Sequence, residues 1–282
     1  MNGRTVIITG GNTGIGQATA EALARLGASV VITSRDPHRG QTAVDQIRRA
    51  SGNDQVEVVE LDLARLASVR SCAKELLDGV DAIDVLDLNA GGVISKRRVT
   101  QDGFEMQFQV NHLGHFLLTH LLLERLVQHA PSRVIVLSSW GHTQARDGLD
   151  FEDLQWERRP YRGSMVYSAT KLMNVYFSSE LARRTRDDGV TANAVHPGFV
   201  ASDFSKGGDT RALRLGVLIA RPFARTPAKG ARTAVWLASS PEAAFETGKY
   251  FVDCKPRQPS RAAQDQVAAA RLWEVSEKLA GL

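Results

Sequence analysis

Short apolar runs alternate with longer stretches of helical periodicity along this chain of 282 residues. The runs are rich in Val and Ile, and several are apolar at consecutive positions, as in strands that helices cover on both faces. They predict strands at 5–9, 29–33, 56–60, 83–88, 133–138, 190–195 and 249–252. The stretches between them predict helices at about 14–26, 38–50, 65–79, 102–128, 163–187 and 226–239.

This alternation predicts one α/β domain over residues 1–282, with a doubly wound, Rossmann-type parallel sheet of about seven strands and helices on both faces. Residues 140–162 and 202–228 interrupt the rhythm after strand ends, where ligands bind in open α/β sheets. We expect them to be substrate lids rather than plain surface loops. Residues 253–282 are expected to form a C-terminal extension.

Composition narrows the function classes. The chain is 43% hydrophobic and 23% charged, as in a globular protein. Its net charge is +4, and its lysines and arginines are scattered along the sequence, whereas a nucleic-acid binder has them clustered. Cys72 and Cys254 form no CxxC pair, and His112 and His115 have no evident carboxylate or thiol partner, so no metal site is expected. Without a signal peptide or an apolar run of about 18 residues, we expect a cytoplasmic location.

A glycine cluster follows the first predicted strand and precedes a helix. Such a loop lets a pyrophosphate approach the helix N-terminus, where free N–H groups and the helix dipole bind anions. The spacing is Gly-x-x-x-Gly-x-Gly, formed by Gly10, Gly14 and Gly16. The sequence therefore predicts a nucleotide cofactor at this loop.

The end of the second strand indicates which dinucleotide binds. An acidic residue there would accept bonds from the adenosine ribose, but Ser34 and Arg35 stand in its place. A guanidinium pairs well with a 2′-phosphate, which favours NADP(H) over NAD(H), and Arg39 adds a second positive charge. In the alternative interpretation Arg35 is a surface charge and Asp36 turns towards the ribose.

Tyr167 and Lys171 share one face of a predicted helix, one turn apart. The ordinary pKa of tyrosine is about 10, and a nearby ammonium is expected to lower it towards the range of a general acid/base. Ser139 ends a strand and can hydrogen-bond a substrate oxygen as charge develops, while Asn111 lies in a helix. Singly, each has an ordinary interpretation: a surface pair, a cap and a packing residue.

Together, the TGxxxGIG loop, the Asn89-Ala90-Gly91 segment and the Asn-Ser-Tyr-Lys set resemble the short-chain dehydrogenase/reductase family. The resemblance makes Ser139 the catalytic serine, Ser138 structural, and Asn111 the holder of a water that relays protons to Lys171. Leu88 departs from the family, which usually has Asn there. The implied catalytic residues are Asn111, Ser139, Tyr167 and Lys171. The implied cofactor contacts are Gly10, Asn12, Thr13, Gly14, Ile15, Gly16, Arg35, Asp62, Leu63, Asn89, Ala90, Gly91, Tyr167, Lys171, Pro197, Gly198, Val200 and Ser202.

Three stretches, VNHLGHFLLT, YSATKLMNVYFSSELARR and TGKYFVDCKP, look like the retinol dehydrogenase and WW-domain oxidoreductase branch. That branch implies an NADP(H)-dependent oxidoreductase acting on a lipophilic carbonyl or alcohol, by hydride transfer with Tyr167 as general acid/base. Leucine, valine and isoleucine positions within 213–219 support an apolar substrate if this run is a lid. A helix packed on the core or on a partner subunit is the alternative interpretation of the same run. Several members carry an N-terminal membrane anchor, but this chain begins at the first strand, so we expect none here.

Two alternatives stay open at the level of sequence. One is an NADPH-dependent C=C reductase, because related enzymes share the YxxxK pair. The other is a non-catalytic protein that binds NADP(H) and interacts with partners. A homodimer or homotetramer is expected from the family, with no nucleic-acid partner.

Overall fold

The computed structural model describes residues 1–200 and 224–282, which form a mostly parallel sheet covered by helices on both faces. Its strand order is β3-β2-β1-β4-β5-β6-β7-β8, and β8 alone of the described strands runs antiparallel to its neighbour. The strands are β1 Thr5–Ile8, β2 Ser29–Ser34, β3 Val56–Glu60, β4 Val85–Leu88, β5 Ser132–Leu137, β6 Val190–His196, β7 Tyr250–Val252 and β8 Lys255–Arg257. The predicted fold class is confirmed, with β8 as an addition.

The helices occupy the stretches between strands, numbered here along the described residues. They are α1 Gly14–Arg25, α2 Pro37–Ser51, α3 Leu66–Gly79, α4 Met106–Phe108, α5 Gly114–Gln128, α6 Gly163–Arg184, α7 Pro227–Ser239 and α8 Gln266–Ala280. Ser202 and residues 202–223 of the second predicted lid lie outside the described residues. Within the described ranges, no helix combines the length and the hydrophobicity needed to cross a membrane.

The stretch predicted as one helix over 102–128 is divided. A π-helical turn, Gln109–Leu113, separates α4 from α5, and the N–H of Gly114 donates to the carbonyl of Gln109. A π turn carries one residue more than an α turn, and such turns concentrate at functional sites. This turn contains Asn111.

The expected C-terminal extension is part of the sheet and its helical cover. Residues Lys255–Arg257 pair with β7, and α8 packs against α6 on one face of the sheet. The Trp273 ring of α8 lies 4.9 Å from Phe116 and 5.9 Å from Phe177, measured between ring centroids. Neither β8 nor α8 was among the predicted elements.

Asp87 is a carboxylate buried in the apolar interior. It is 1% exposed, and both carboxylate oxygens lack a hydrogen-bond partner among the described residues. Strand alternation places it on the same face of β4 as Val85, which packs with side chains of α1 and α7. Burial raises the pKa of Asp87 from 3.8 to about 7.

Replacing Asp87 by Val should stabilise the protein more at high pH than at low pH. The folded protein holds a proton that the unfolded chain releases from about pH 4 upwards, so stability falls as pH rises until it passes about 7. The Asp87→Val variant lacks this fall. Its gain in free energy of unfolding should be about 3 kcal/mol larger near pH 8 than near pH 5.

Urea unfolding of both proteins at the two pH values measures this difference, and the value near pH 5 is the internal control. An equal gain at both would show that Asp87 is ionised in the folded protein throughout.

Candidate active site

A cavity of about 320 Å³ lies at the carboxyl ends of the first four strands, beside the point where the chain order of the sheet reverses between β1 and β4. Ligands of open α/β sheets bind at such points. The expected cofactor residues that line it are Gly10, Asn12, Thr13, Gly14, Ile15, Arg35, Asp62, Leu63, Asn89, Ala90 and Gly91. Arg39, expected as a second positive contact, also lines it.

The same cavity includes Asp36, the ribose contact of the alternative interpretation. It also includes residues that the sequence analysis did not assign to it: Thr33, Ser34, Leu61, Val110 and Leu137. Most of them end strands β2 and β5 or directly follow β3. Their position at the carboxyl edge of the sheet was the available signal, since every strand end at that edge borders the same crevice.

The glycine loop brings the N-terminus of α1 to the cavity. Gly10 has φ +65°, a left-handed conformation that favours glycine, and α1 begins at Gly14 with no acidic residue in its first turn. Gly16 does not line the cavity. A Cβ on it would lie 2.5 Å from the Asn89 amide nitrogen and 2.6 Å from the Gly10 carbonyl, so it permits close packing. The loop, the helix terminus and the missing side chains fit a dinucleotide phosphate.

Thr9 ties the loops after β1 and β4 together. The Asn89 amide donates to the Thr9 carbonyl at 2.9 Å, and the Ala90 N–H donates to the Thr9 hydroxyl at 3.0 Å. Leu88, where the family usually has Asn, is fully buried in the core. In this chain that position therefore serves core packing.

Arg35 and Arg39 place two exposed guanidinium groups beside the cavity. The Asp36 carboxylate accepts the backbone N–H of Arg39 at 3.1 Å and caps the N-terminus of α2. Ser34 donates to the Asp36 carbonyl at 2.8 Å, which fixes this turn. The Asp36 carboxylate, which also lines the cavity, is thus held at the helix terminus through one of its oxygens.

The four residues of the predicted catalytic set converge at the carboxyl end of β5. Lys171 is 1% exposed, its Nζ donates to the Leu137 carbonyl at 2.8 Å, and Nζ lies 5.6 Å from the centre of the Tyr167 ring. Ser139 hydrogen-bonds Tyr167, and its Oγ accepts the N–H of Gly141 at 3.0 Å. Hydroxyl, phenol and ammonium therefore meet around one point, as acid–base chemistry at an oxygen atom requires.

Asn111 braces this point from the π-helical turn. Its side chain accepts the N–H of Gly92 at 2.8 Å and donates to the Gly92 carbonyl at 2.9 Å and to the Thr170 hydroxyl at 3.1 Å. These bonds join the loop after β4 to α6. The side chain thus holds the protein frame around Lys171 together.

The pKa shifts of Tyr167 and Lys171 differ from the expectation based on the sequence. Burial raises the pKa of Tyr167 to about 12, and the hydrogen bond with Ser139 offsets this only partly. Burial also lowers the pKa of Lys171 to about 7. The expected lowering of the tyrosine pKa by the lysine is therefore wrong for this structure, because desolvation favours the neutral form of both groups.

Comparison with known proteins identifies the family. Residues 4–149 match the family model described as short chain dehydrogenase. Human retinol dehydrogenase 14 is 43% identical, over all of this chain and 88% of the relative. The chain belongs to the short-chain dehydrogenase family. It is an oxidoreductase of alcohols and carbonyls, it is similar to the retinol dehydrogenases, and its fold binds a nicotinamide dinucleotide.

Solved structures agree with this membership. A putative uncharacterized protein from Mycobacterium paratuberculosis is 37% identical, with a TM-score of 0.79, covering 99% of this chain and 94% of that one. The RhlG/NADP active-site complex of Pseudomonas aeruginosa is 25% identical, with a TM-score of 0.69, covering 89% and 94%. The resemblance found in the sequence motifs is confirmed.

The cytoplasmic location expected from the sequence is wrong. It rested on the lack of a signal peptide and of a long apolar run. The retinol dehydrogenases that match this short-chain dehydrogenase over nearly its whole length are membrane-associated enzymes.

The remaining assigned residues of this short-chain dehydrogenase follow β6. Pro197 comes directly after the strand, and Gly198 has φ +85°, with the Arg225 side chain 2.7 Å from where its Cβ would lie. Val200 pairs with Arg225 and packs beside Gly230 of α7. This segment therefore packs beside α7.

Several polar residues near the site have structural bonds. Ser138 donates to the Lys171 carbonyl at 2.8 Å, as a structural serine would. The His112 ring bonds Ser276 at 2.8 Å and the His115 ring bonds Thr9 at 3.0 Å, and burial lowers the pKa of each histidine to about 3. Among the described residues, no group of three or more His, Cys, Asp and Glu side chains is placed to hold a metal.

Of the first predicted lid, residues Trp140–Gln144 form a 3-10 turn beside Tyr167, where a Cβ on Gly141 would lie 3.3 Å from the tyrosine ring. The end of the predicted lid instead lies next to α4, away from Tyr167. Tyr161 donates to Glu105 at 2.9 Å and accepts from Gln107 at 2.8 Å, next to α4. Only the first turn of this segment borders the catalytic residues.

Replacing Gly10 by Ala should weaken dinucleotide binding at least tenfold. The new Cβ would lie 3.0 Å from the Ala90 Cβ, in a left-handed conformation that costs an L-residue about 1 kcal/mol. The loop would have to shift away from the cavity. Fluorescence titration with NADPH and NADH measures the loss.

Gly3→Ala is the matched control, because Gly3 has φ +71° and open space around its Cβ position. It should destabilise the fold slightly and leave dinucleotide affinity unchanged. Equal affinity losses in the two variants would mean that backbone strain alone, and not the crowding at Ala90, explains the effect.

Proposed function

We propose that this protein is an NADP(H)-dependent oxidoreductase that interconverts a carbonyl and an alcohol on a lipophilic small molecule, with Tyr167 as general acid/base. The observation that carries the proposal is the meeting of Ser139, Tyr167 and Lys171 beside the dinucleotide cavity. A cofactor-binding protein without turnover would not need a buried lysine beside a half-buried phenol.

Two observations support NADP(H). Arg35 and Arg39 offer guanidinium groups suited to a 2′-phosphate, and the Asp36 carboxylate is engaged in capping α2. The two arginines and the engaged carboxylate together favour NADP(H) over NAD(H).

Apolar side chains at the site support a lipophilic substrate. Trp140 is 59% exposed at the start of the turn that contacts Tyr167, and its ring lies 6.4 Å from that of His196. Phe199, 54% exposed, follows three residues after His196. Large exposed apolar groups near a reactive site favour an apolar ligand. The similar retinol dehydrogenases bear the name of an apolar alcohol.

The catalytic roles follow from the side-chain chemistry. Bound NADP(H) supplies or accepts the hydride. In the reductive direction Tyr167, protonated at neutral pH, gives its proton to the substrate oxygen, and the Ser139 hydroxyl stabilises the charge that develops there. Lys171, with a pKa of about 7 and its Nζ 5.6 Å from the centre of the Tyr167 ring, can gain and lose a proton near neutral pH beside the phenol.

Tyr167→Phe should abolish turnover, by at least a thousandfold in kcat, and leave NADPH affinity within about threefold, because it removes only the hydroxyl that moves the proton. The assay is NADPH oxidation over a panel of aldehydes, ketones, quinones and enones of graded apolar size. Near-normal turnover in the variant would contradict the assigned role.

The same panel separates the alternatives. Activity confined to enones would favour a C=C reductase. NADPH binding without turnover of any compound, in either direction, would favour the non-catalytic protein.

Arg35→Ala should weaken NADPH binding about 10- to 100-fold and leave NADH binding nearly unchanged, since a charge-assisted bond to phosphate contributes about 1.5–3 kcal/mol. Arg49→Ala, an exposed arginine on α2 outside the residues lining the cavity, is the control for lost surface charge. Equal losses for both cofactors in Arg35→Ala would place the 2′-phosphate elsewhere.

A further inference from the structure

The peptide group between Ser139 and Trp140 is held at both of its polar atoms by histidine rings. The Ser139 carbonyl accepts from Nδ1 of His142 at 2.7 Å, and the Trp140 N–H donates to Nδ1 of His196 at 3.1 Å. The Ser139 carbonyl also accepts the backbone N–H of His142 at 3.1 Å. Each side of this one peptide therefore has a side-chain partner from a different part of the chain.

The bonds of His142 determine which ring nitrogen carries the proton. Nε2 accepts the backbone N–H of Ser260 at 3.1 Å, so Nδ1 must carry the hydrogen that goes to Ser139. The ring is fully buried, and Tyr250 packs against it with ring centroids 4.9 Å apart. His142 thus joins the residue of the catalytic serine to the segment between β8 and α8.

His196 requires the opposite tautomer. Its Nδ1 is an acceptor for Trp140, so the proton of the neutral ring lies on Nε2. Burial lowers the pKa of His196 to about 4, helped by Arg225 and His142 and opposed by Asp253. Burial likewise lowers the pKa of His142, against its bond to the Ser139 carbonyl. Both rings are therefore neutral at pH 7, the state that these bonds need.

The orientation of this peptide matters because the catalytic groups lie directly against it. The Ser139 Oγ accepts the Gly141 N–H within the same turn, so its own hydrogen is directed to the Tyr167 oxygen or to a substrate. A Cβ on Gly141 would lie 3.3 Å from the Tyr167 ring. Rotation of the peptide would therefore move the serine hydroxyl and the surface on which the tyrosine rests.

We infer that His142 and His196 are positioning residues of the reaction, which hold the Ser139–Trp140 peptide in the orientation that aims the serine hydroxyl at the reacting oxygen. This role rests on the proposed function of Ser139 and Tyr167. Neither histidine touches the reacting atoms, so each acts through the serine.

Exchange of His142 for two amides of different length tests the inference. Asn places its amide near the former Nδ1 and can still donate to the Ser139 carbonyl. Gln reaches the former Nε2 and can instead accept from Ser260. We expect His142→Asn to keep kcat within about threefold and to lower Tm, and His142→Gln to lose about tenfold or more in kcat while Tm is better preserved.

The NADPH dissociation constant should stay unchanged in both His142 variants, since His142 does not line the dinucleotide cavity. Equal kcat values for the Asn and Gln variants would overturn the positioning role and leave only a packing role.

His196 provides the second pair of variants on a half-buried side chain, which decides the matter if the His142 variants do not fold. His196→Asn keeps an acceptor near Nδ1 and should retain most of kcat. His196→Gln lacks it and should lose about tenfold. Equal kcat in this pair would overturn the role of His196.

A readout without turnover separates this inference from the proposed function. In the full chain with 15N-labelled histidine, imidazole spectra at pH 7 should show the Nδ1–H tautomer for His142 and the Nε2–H tautomer for His196. Charged rings or the reversed tautomers would overturn the inference in an active enzyme. The expected tautomers in a protein that turns over no compound of the panel would overturn the proposed function alone.

Discussion

The site depends on the burial of one ammonium group. Removing a lysine side chain from water is costly unless it is bonded or neutral, and Lys171 meets this cost with a bond to the Leu137 carbonyl and a pKa near 7. The end of β5 is fixed to α6 by further bonds, from Ser138 to the Lys171 carbonyl and from the Asn174 amide to the Leu137 carbonyl at 3.0 Å. The packing of α6 on the sheet thus brings Tyr167 to the strand ends.

Hydrophobic periodicity predicted most of the fold because each parallel strand and its covering helix carry their own pattern. It failed in three places, for different reasons. One extra residue in the turn Gln109–Leu113 leaves the apolar spacing readable as a continuous helix. Helix α8 has apolar residues at helical spacing, including Leu272 and Trp273, yet was not predicted. Strand β8 is three residues long and all three are exposed, so it carries no apolar pattern that could predict a strand.

The site was predictable to the extent that it is local. The glycine loop, the Tyr–Lys spacing and the serine at a strand end each show in a few consecutive residues. The direction of the tyrosine pKa was not predictable, because it depends on how deeply α6 buries the phenol and the lysine together. The bond of His142 to Ser260 and that of His196 to Trp140 were equally hidden, since each joins residues more than 50 positions apart.

The π-helical turn makes chain length a constraint in its own right. Each residue of an α-helix advances the side-chain direction by about 100°. Deleting one residue between Asn111 and Phe116 would restore ordinary α-helix but turn the two residues by that angle relative to each other. Asn111 would then leave the strand end, or Phe116 would leave the core. The number of residues in this stretch is therefore fixed by the two surroundings that it connects.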